Sequence, residues 1–397
     1  MDKLLTLIFW SLIGIVFYSY IGYGLLLWLM VLVKKLFLKK SNLDKKAIFF
    51  PEVTLIIPAY NERDFIDAKM QNTYSIDYPS DKLKVYWVTD GSDDGSEQYI
   101  LENYCNKKEK FEVKIFHQSK RKGKSAAINR VMQFVETELV VFCDANTLIN
   151  KECILNTVKH FEDEKIGCVA GEKRVLQNET TAGDGESLYW KYESWLKKLN
   201  SDFHYCIGAV GEYIAFRSSL FNPIPEDTIL DDFVISMQIA HKGYRVIYEP
   251  NAYAQEAPSA NEQEEMKRKV RIASGAFQAL FRYPEWLNFF KHPILSFQYF
   301  SHKVTRWLIV PFSLFLIFFT NVLLFFQDNQ NVLFSSTLFL QLCFYCICII
   351  QHFAQLPSKL FRMPYYVLLM NWAMYKGLIR YLFKQQPAAW EKVKRVV

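Results

Sequence analysis

The stretch Val53-Thr54-Leu55-Ile56-Ile57-Pro58-Ala59-Tyr60-Asn61-Glu62 decides the fold, because a run of apolar and β-branched residues passes directly into a polar segment. Similar runs occur at Val85–Thr89, Val113–His117 and Leu139–Cys143, each followed by polar residues. Helical patterns such as Ser125–Val135 lie between these runs. Apolar strands that alternate with helices predict an α/β domain with a mainly parallel sheet. Ligands of such sheets bind at the carboxyl ends of the strands, where the polar segments stand.

A long apolar segment precedes this domain. Residues 4–33 form an uncharged run of about 30 residues, whereas a membrane-spanning helix needs about 20. The segment lacks a basic leader and a small-residue cleavage site, so we interpret it as a transmembrane helix and not as a removable signal peptide. Four lysines follow it: Lys34, Lys35, Lys39 and Lys40. By the positive-inside rule they place the domain at residues 50–280 in the cytosol.

Further apolar segments follow the domain. Residues 285–303 mix aromatic side chains with Lys and His, which is typical of an interfacial segment. Residues 305–326 and 332–353 are predicted to be transmembrane helices. The apolar stretch at residues 365–383 contains an Asn, a Lys and an Arg, so it either crosses the membrane or lies in the interface. The second alternative keeps the basic tail at residues 392–395 in the cytosol.

The composition narrows the class of protein. Hydrophobic residues make up 51% of the 397 residues and aromatic residues 16%, which is high for a soluble protein. Much of the net charge of +6 lies beside the apolar segments, which indicates contact with an anionic membrane surface. No basic stripe with interleaved aromatic residues occurs, so we expect no nucleic-acid partner. The eight cysteines are scattered, as expected for a reduced, cytosolic domain.

Four polar segments carry residues suited to chemistry. They are Tyr60-Asn61-Glu62, Asp90-Gly91-Ser92, Asp144-Ala145-Asn146 and Asp231-Asp232. Each of them has a structural alternative, namely a turn, a helix cap or a favourable interaction with a helix dipole. Oxygen-bearing side chains at strand ends also suit a nucleoside, or Mg²⁺ or Mn²⁺ bound to substrate phosphates. The occurrence of all four segments in this order favours a functional site.

With these segments in place, residues 53–280 resemble a family 2 glycosyltransferase of the membrane-bound, cellulose-synthase-like and hyaluronan-synthase-like group. The resemblance implies a GT-A type nucleotide-sugar-binding domain flanked by transmembrane helices. It also implies a role for each residue that matches a family motif. These roles are nucleoside binding for Tyr60, Glu62 and Asp90, diphosphate binding for Lys124, binding of Mg²⁺ or Mn²⁺ for Asp144 and Asn146, and catalytic base for Asp232.

The chain departs from the family pattern near two of these residues. Thr89 stands where the family often has a first aspartate, and Asn146 replaces the second acid of the Asp-x-Asp metal motif. The amide oxygen of an asparagine still coordinates a cation, but with one negative charge fewer. Cys206–Gly211 and Arg217 resemble the stretch that lines the acceptor site in the family.

A third departure concerns the Gln-x-x-Arg-Trp motif of the processive enzymes in this group. The corresponding residues 268–272 keep an Arg, but Ile272 replaces the Trp that stacks on the acceptor sugar. The resemblance implies that Arg268 and Arg271, together with Asp231, bind the diphosphate or the acceptor. The alternative for this basic helix is a positive surface that faces the membrane.

The resemblance implies an inverting enzyme of the plasma (inner) membrane, with several spans and a cytosolic catalytic domain. It would move a sugar from a nucleotide sugar, most simply a UDP-sugar, to a lipid-linked or polysaccharide acceptor, with other glycan-synthesis proteins as partners. Two alternatives stay open: a processive polysaccharide synthase that translocates its product, and an inactive scaffold that binds nucleotide sugar. The missing Gln and Trp argue against the first, and the presence of Asp232, Asp144 and Lys124 argues against the second.

Overall fold

The computed structural model describes residues 2–37, 50–107, 110–175, 183–356 and 358–385. Lys39, Lys40 and the predicted basic tail at residues 392–395 lie outside these ranges.

An eight-stranded sheet forms the centre of the domain. Its strands are β1 Val53–Ala59, β2 Leu83–Asp90, β3 Glu112–Gln118, β4 Leu139–Phe142, β5 Leu148–Ile149, β6 Ile166–Val175, β7 Ile214–Arg217 and β8 Arg245–Glu256. They lie in the order β3-β2-β1-β4-β7-β6-β8-β5. The strands β1 to β4 are parallel, as are β6 and β8, whereas β7 and β5 run antiparallel to their neighbours. The predicted α/β domain with a mainly parallel sheet is confirmed, and its first four predicted strands are β1 to β4.

Both faces of the sheet are covered, which explains why its strands read as continuous apolar runs. In β1, Leu55 and Ile57 belong to one apolar cluster, and Ile56 belongs to the cluster on the opposite face. Trp87 and Val88 divide β2 in the same way. Each of these side chains is buried, and each such burial stabilises the fold by about 1.5–3 kcal/mol. The packing therefore fixes where each strand ends, and so where the polar segments emerge.

The helices surround this sheet and extend beyond it. They are α1 Asp2–Phe17, α2 Tyr23–Phe37, α3 Ile66–Tyr74, α4 Ser96–Ile100, α5 Lys124–Met132, α6 Cys153–Val158, α7 Gly183–Phe203, α8 Asp231–His241, α9 Glu262–Arg282, α10 Pro293–Tyr299, α11 Val310–Gln327, α12 Val332–Ala354 and α13 Lys359–Leu382. The first turns of α5 and α8 carry three of the predicted site residues, namely Lys124, Asp231 and Asp232.

Three helical segments of the described chain are long and apolar enough to cross a membrane. They are Lys3–Phe37, Pro293–Gln327 and Val332–Ala354. The predicted spans at residues 4–33, 305–326 and 332–353 each fall within one of them. Large apolar side chains such as Leu4, Phe326 and Phe353 are exposed on these segments, as expected for surfaces that contact lipid.

Two of these segments contain π-helical turns, at Tyr18–Gly22 and Phe300–Ile309. The two π-helical stretches contact each other, since the Tyr18 hydroxyl donates to Ser301 Oγ over 2.8 Å. The residues predicted to be interfacial, 285–303, include α10 and the start of the second π-helical stretch. π-helical turns often occur at functional sites because they change the direction in which side chains point.

The helix α13 packs on the α/β domain. A Cβ atom added at Gly377 would lie 2.4 Å from the Cβ of Ala273 in α9, so the two helices approach closely. The rings of Phe281 and Tyr381 stack with centroids 5.6 Å apart. This helix contains most of the stretch at residues 365–383, and it is not one of the three segments that are apolar enough to cross a membrane.

Candidate active site

The loops that follow β1 and β2 are joined by side-chain hydrogen bonds. Asn61 donates through Nδ2 to Asp93 Oδ1 over 2.7 Å and accepts from the backbone N–H of Asp93 over 3.0 Å. Asn61 has a φ of +54°, a left-handed conformation that Asn tolerates better than most residues. The paired loops form one rim, and this rim carries Tyr60 and Glu62, which were predicted to bind the nucleoside.

A third predicted nucleoside residue, Asp90, faces the loop before α5. Its Oδ2 atom accepts from the backbone N–H groups of Lys122 and Gly123 over 2.8 and 2.6 Å. The guanidinium of Arg121 lies over the ring of Tyr60, 3.6 Å from its centroid. A stacked ring and guanidinium next to a buried carboxylate offer both a flat surface and a hydrogen-bond acceptor. Both features suit a planar nucleobase.

Three predicted site residues meet at the ends of three different elements. The Nζ atom of Lys124 lies 2.8 Å from Asp144 Oδ1 and 3.4 Å from Asp231 Oδ2. Lys124 begins α5, Asp231 begins α8, and Asp144 follows β4. Burial alone would lower the pKa of Lys124, but the charges of Asp144 and Asp231 outweigh it and raise that pKa. The lysine is therefore a fixed cation between two carboxylates.

The neighbouring carboxylate is that of Asp232, which was predicted to be the catalytic base. Burial and the adjacent charge of Asp231 raise the pKa of Asp232 to about 7, although Lys124 opposes this. A base is most effective when its pKa lies close to the working pH. A Cβ atom added at Gly211 would lie 3.7 Å from Asp232 Oδ2. The glycine therefore leaves room for a substrate beside this carboxylate.

The residues predicted to hold a metal fit an ion that a substrate helps to bind. Asp144 and Asn146 both follow β4. Beneath their turn, the buried ammonium of Lys69 donates to Cys143 Sγ over 2.9 Å and to the carbonyl of Thr147 over 2.8 Å. The described residues contain no group of three His, Cys, Asp or Glu side chains that could hold a metal ion. Mg²⁺ commonly binds through one or two carboxylates together with substrate phosphates, so the residues at this turn fit a shared site.

The two arginines predicted as site residues on α9 have different surroundings. Arg268 donates through Nε and Nη2 to the two carboxylate oxygens of Glu265, over 2.9 and 2.8 Å. Burial and the charge of Arg268 lower the pKa of Arg271, while the charge of Asp231 opposes this. Arg271 therefore lies within electrostatic reach of the carboxylate cluster, whereas Arg268 is engaged within its own helix. Ile272 lines the same cavity as both arginines.

A cavity of about 550 Å³ unites most of these residues. The predicted site residues that line it are Lys124, Asp144, Asp231, Asp232, Arg268 and Arg271. Those that do not line it are Tyr60, Glu62, Asp90 and Asn146. The cavity also reaches residues 208–212, most of the stretch that resembles an acceptor site, and continues to α13. Arg217 lies elsewhere, because its guanidinium binds the backbone carbonyls of Phe161 and Ile166.

The sequence did not single out a group of charged residues in the cavity wall. Glu193 of α7 accepts from Lys303 Nζ over 2.5 Å and from Arg306 Nη1 over 3.0 Å. Burial alone would raise the pKa of Glu193, but Lys303 and its neighbours hold that pKa well below its usual range. Lys173 is paired with Glu212 in the same wall. No motif or spacing marks these residues, since their partners are distant in the chain.

Comparison with known proteins bears on the family and the fold of the chain. The family model described as Glycosyl transferase family 2 matches residues 54–224. The poly-beta-1,6-N-acetyl-D-glucosamine synthase of Staphylococcus aureus (strain MSSA476) is 23% identical over 235 residues, which are 58% of this chain and 56% of the relative. The protein of the same name from Staphylococcus epidermidis is 21% identical over 266 residues, covering 64% of this chain and 63% of the relative. The chain thus spans less than two thirds of the length of either relative.

The fold has a close counterpart among solved structures. The mannosyltransferase PcManGT from Pyrobaculum calidifontis, in complex with GDP-Man and Mn²⁺, matches with a TM-score of 0.71 and 22% sequence identity. The match covers 96% of this chain and 100% of that structure, so it includes the α/β domain and the flanking helices. The predicted GT-A type fold is confirmed. Residues 54–224 therefore match the model of Glycosyl transferase family 2, and the chain shares the fold of the solved mannosyltransferase.

Proposed function

We propose that this protein is a membrane-bound, inverting glycosyltransferase that transfers a sugar from a nucleotide sugar to a lipid-linked or polysaccharide acceptor of a cell-surface glycan. The observation that carries the proposal is the position of Asp232. Its carboxylate has a pKa of about 7 and lies in a cavity beside Lys124 and Asp144. A base, a cation and a candidate metal ligand are thus close enough to act on one donor molecule.

Asp232 is the residue that activates the acceptor. Its carboxylate takes the proton of an acceptor hydroxyl while the hydroxyl oxygen forms a bond to the anomeric carbon of the donor sugar. The bond from that carbon to the phosphate oxygen breaks, and the nucleoside diphosphate leaves with the bonding electrons. A single displacement of this kind inverts the configuration at the anomeric carbon.

The leaving group requires positive charge. Lys124 and Arg271 supply it from α5 and α9, within a cavity where water screens charges less than in bulk solvent. Asp144 and Asn146 would hold Mg²⁺ or Mn²⁺, which supplies further positive charge to a diphosphate when bound. The solved mannosyltransferase was found in complex with GDP-Man and Mn²⁺, which supports a nucleotide sugar and a divalent cation as ligands of this protein.

The nucleoside has its own surface beside this cavity. Tyr60 and Glu62 would contact it from the loop after β1, and Asp90 would accept a hydrogen bond from the base or the ribose. Arg121, stacked on Tyr60, adds a cation to this surface. We favour a UDP-sugar as donor, on the family resemblance.

The acceptor side favours one or a few additions over processive synthesis. Ile272 lines the cavity and offers no aromatic face on which a growing chain could stack.

The close packing of α13 on α9 at Gly377 favours an arrangement in which α13 lies on the same side of the membrane as the catalytic domain. With Lys34 and Lys35 at the end of the first apolar helix, that side is the cytosol, and the protein belongs in the plasma membrane.

A donor panel tests this function. Purified full-length protein in detergent is incubated with UDP- and GDP-sugars, a membrane-lipid extract, and Mn²⁺ or a chelator. We expect release of nucleoside diphosphate from one donor, loss of that release with the chelator, and a product with one or a few added sugars. Absence of release from every donor would contradict the proposed function. A long polymer ladder would instead favour a processive synthase.

A further inference from the structure

The wall of the cavity contains a buried lysine that the proposed chemistry does not use. Lys197 of α7 is 4% exposed and lines the cavity. Among the described residues it has no hydrogen-bond or ion-pair partner. Its Nζ atom lies 6.0 Å from the ring centroids of Trp190 and Tyr248. An ammonium that lies in a largely enclosed cavity without a counter-charge is costly, and an anion that enters the cavity would lower that cost.

Two further cations stand near Lys197 with only part of their charge balanced. Lys303 and Arg306 share the carboxylate of Glu193, and Lys197 adds like charge close to Lys303. Two cations therefore share one carboxylate, and a third cation lies close to them. Over the whole cavity, eight Lys and Arg side chains and five Asp and Glu side chains line the described surface. The excess of positive charge favours an anionic ligand.

This group is separate from the residues assigned to the donor diphosphate, but it lies close to the base. A Cβ atom at Gly208 would lie 3.7 Å from Lys303 Cε, whereas one at Gly211 would lie 3.7 Å from Asp232 Oδ2. Three residues of chain span at most about 10 Å. An anion at Lys303 would therefore lie within about 20 Å of Asp232, in the same cavity and beside the residues that resemble an acceptor site.

The cavity continues from these cations to an apolar surface. Met363, Val367 and Met370 of α13 line it, together with Trp307 of the π-helical stretch. Trp307 belongs to the segment Pro293–Gln327, which is apolar enough to cross a membrane. A ligand that extends from the cations along this surface needs an anionic group at one end and an apolar chain at the other.

We propose that Lys197, Lys303 and Arg306 form a phosphate site for the acceptor, and that the acceptor carries this phosphate on an apolar lipid chain. This inference rests on the proposed function, since it names the class of acceptor for the same site. It also explains why the sequence has no aromatic stacking residue at position 272. An acceptor held by its phosphate and its lipid chain does not need an aromatic platform at Ile272.

Binding of a simple probe tests the site without any catalytic turnover. Purified full-length protein in detergent is titrated with farnesyl phosphate, farnesol and inorganic phosphate, in the absence of donor. We expect farnesyl phosphate to bind at least tenfold more tightly than either other probe. Lys197→Gln should weaken its binding roughly tenfold to a hundredfold, the range for loss of a hydrogen bond to a charged group. Lys197→Arg should retain most of the affinity.

Lys198→Gln is the matched control, because Lys198 is the next residue in α7 but is exposed and paired with Asp202. It should bind farnesyl phosphate like the wild type.

Lys197→Gln should unfold at the same or a higher temperature than the wild type, since it removes a buried charge, and it should still bind UDP or GDP. Equal binding of farnesol and farnesyl phosphate, or unchanged binding by Lys197→Gln, would overturn the proposal. Inorganic phosphate that binds as tightly as farnesyl phosphate would refute its lipid part. None of these results depends on donor turnover, so they separate this inference from the proposed function.

Discussion

At the scale of single residues, Asp232 makes the most direct prediction. With a pKa of about 7, raised by burial and by Asp231, it is protonated below pH 7 and cannot accept a proton there. We therefore expect kcat/KM to rise with pH through about 7 and to level off above it. Asp231→Asn removes a neighbouring negative charge, so the midpoint of the rise in kcat/KM should move to lower pH in this variant. The pH profiles of both proteins check this, and an unchanged midpoint in Asp231→Asn would contradict the assignment.

Two glycines near the nucleoside surface give a matched pair of substitutions. Gly91 and Gly95 both have positive φ, +70° and +76°. A Cβ atom at Gly91 would lie 2.6 Å from the Cβ of Arg121, whereas nothing lies within 4 Å of one at Gly95. Gly95→Ala should cost about 1–2 kcal/mol of stability from backbone strain and leave the donor KM unchanged. Gly91→Ala should cost more, and it should also raise the donor KM because it displaces Arg121 from Tyr60.

Thermal unfolding and donor kinetics on both variants measure this difference. Equal donor KM values for the two variants would mean that Arg121 does not help to form the nucleoside surface.

How far the sequence predicts single residues depends on how local their partners are. Lys124, Asp144 and Asp231 were predicted as site residues because each lies at a strand end or a helix start, and the structure brings them together. Lys197 and Arg306 were not predicted. Each looks like an ordinary helical cation in the sequence, and only tertiary packing shows what surrounds it.

At the scale of elements, the contact between α9 and α13 should close the cavity on the membrane side. It depends on Gly377, where an added Cβ would lie 2.4 Å from the Cβ of Ala273 and 2.8 Å from the backbone N of Ser274. Gly377→Ala should therefore destabilise the protein by about 1–3 kcal/mol, the usual cost of overpacking, and should lower activity. Gly14→Ala in α1, with nothing within 4 Å of its Cβ, is the control.

Unfolding in detergent and donor turnover measure both variants. If Gly377→Ala is as stable and as active as Gly14→Ala, then α13 does not need its close approach to α9.

The strands were easier to predict than the helices. Both faces of β1 and β2 are buried, so their sequences are continuous apolar runs between turn residues. The role of α13 was left open because an amphipathic helix has the same pattern whether lipid or protein covers it. The π-helical stretch Phe300–Ile309 was not predicted at all, since no local residue preference distinguishes it from an α-helix.

At the scale of the whole molecule, the three apolar segments predict a membrane topology. If Lys3–Phe37, Pro293–Gln327 and Val332–Ala354 each cross the membrane, the catalytic domain and α13 lie on one side. The turn between α11 and α12 then lies on the other. In a cysteine-free background, Asn329→Cys should react with a membrane-impermeant maleimide on intact cells, whereas Lys198→Cys should react only after permeabilisation. Labelling of Lys198→Cys on intact cells would contradict the proposed orientation.

Asp232 is proposed to be the base of a nucleotide-sugar-dependent transfer. The most direct measurement compares nucleoside diphosphate release by the wild type and by Asp232→Asn at saturating donor and acceptor, with donor affinity determined separately by calorimetry. We expect Asp232→Asn to bind donor with a similar Kd but to release nucleoside diphosphate about 10²–10⁴-fold more slowly, the usual contribution of general-base catalysis. Release at the wild-type rate by Asp232→Asn would contradict this role for Asp232.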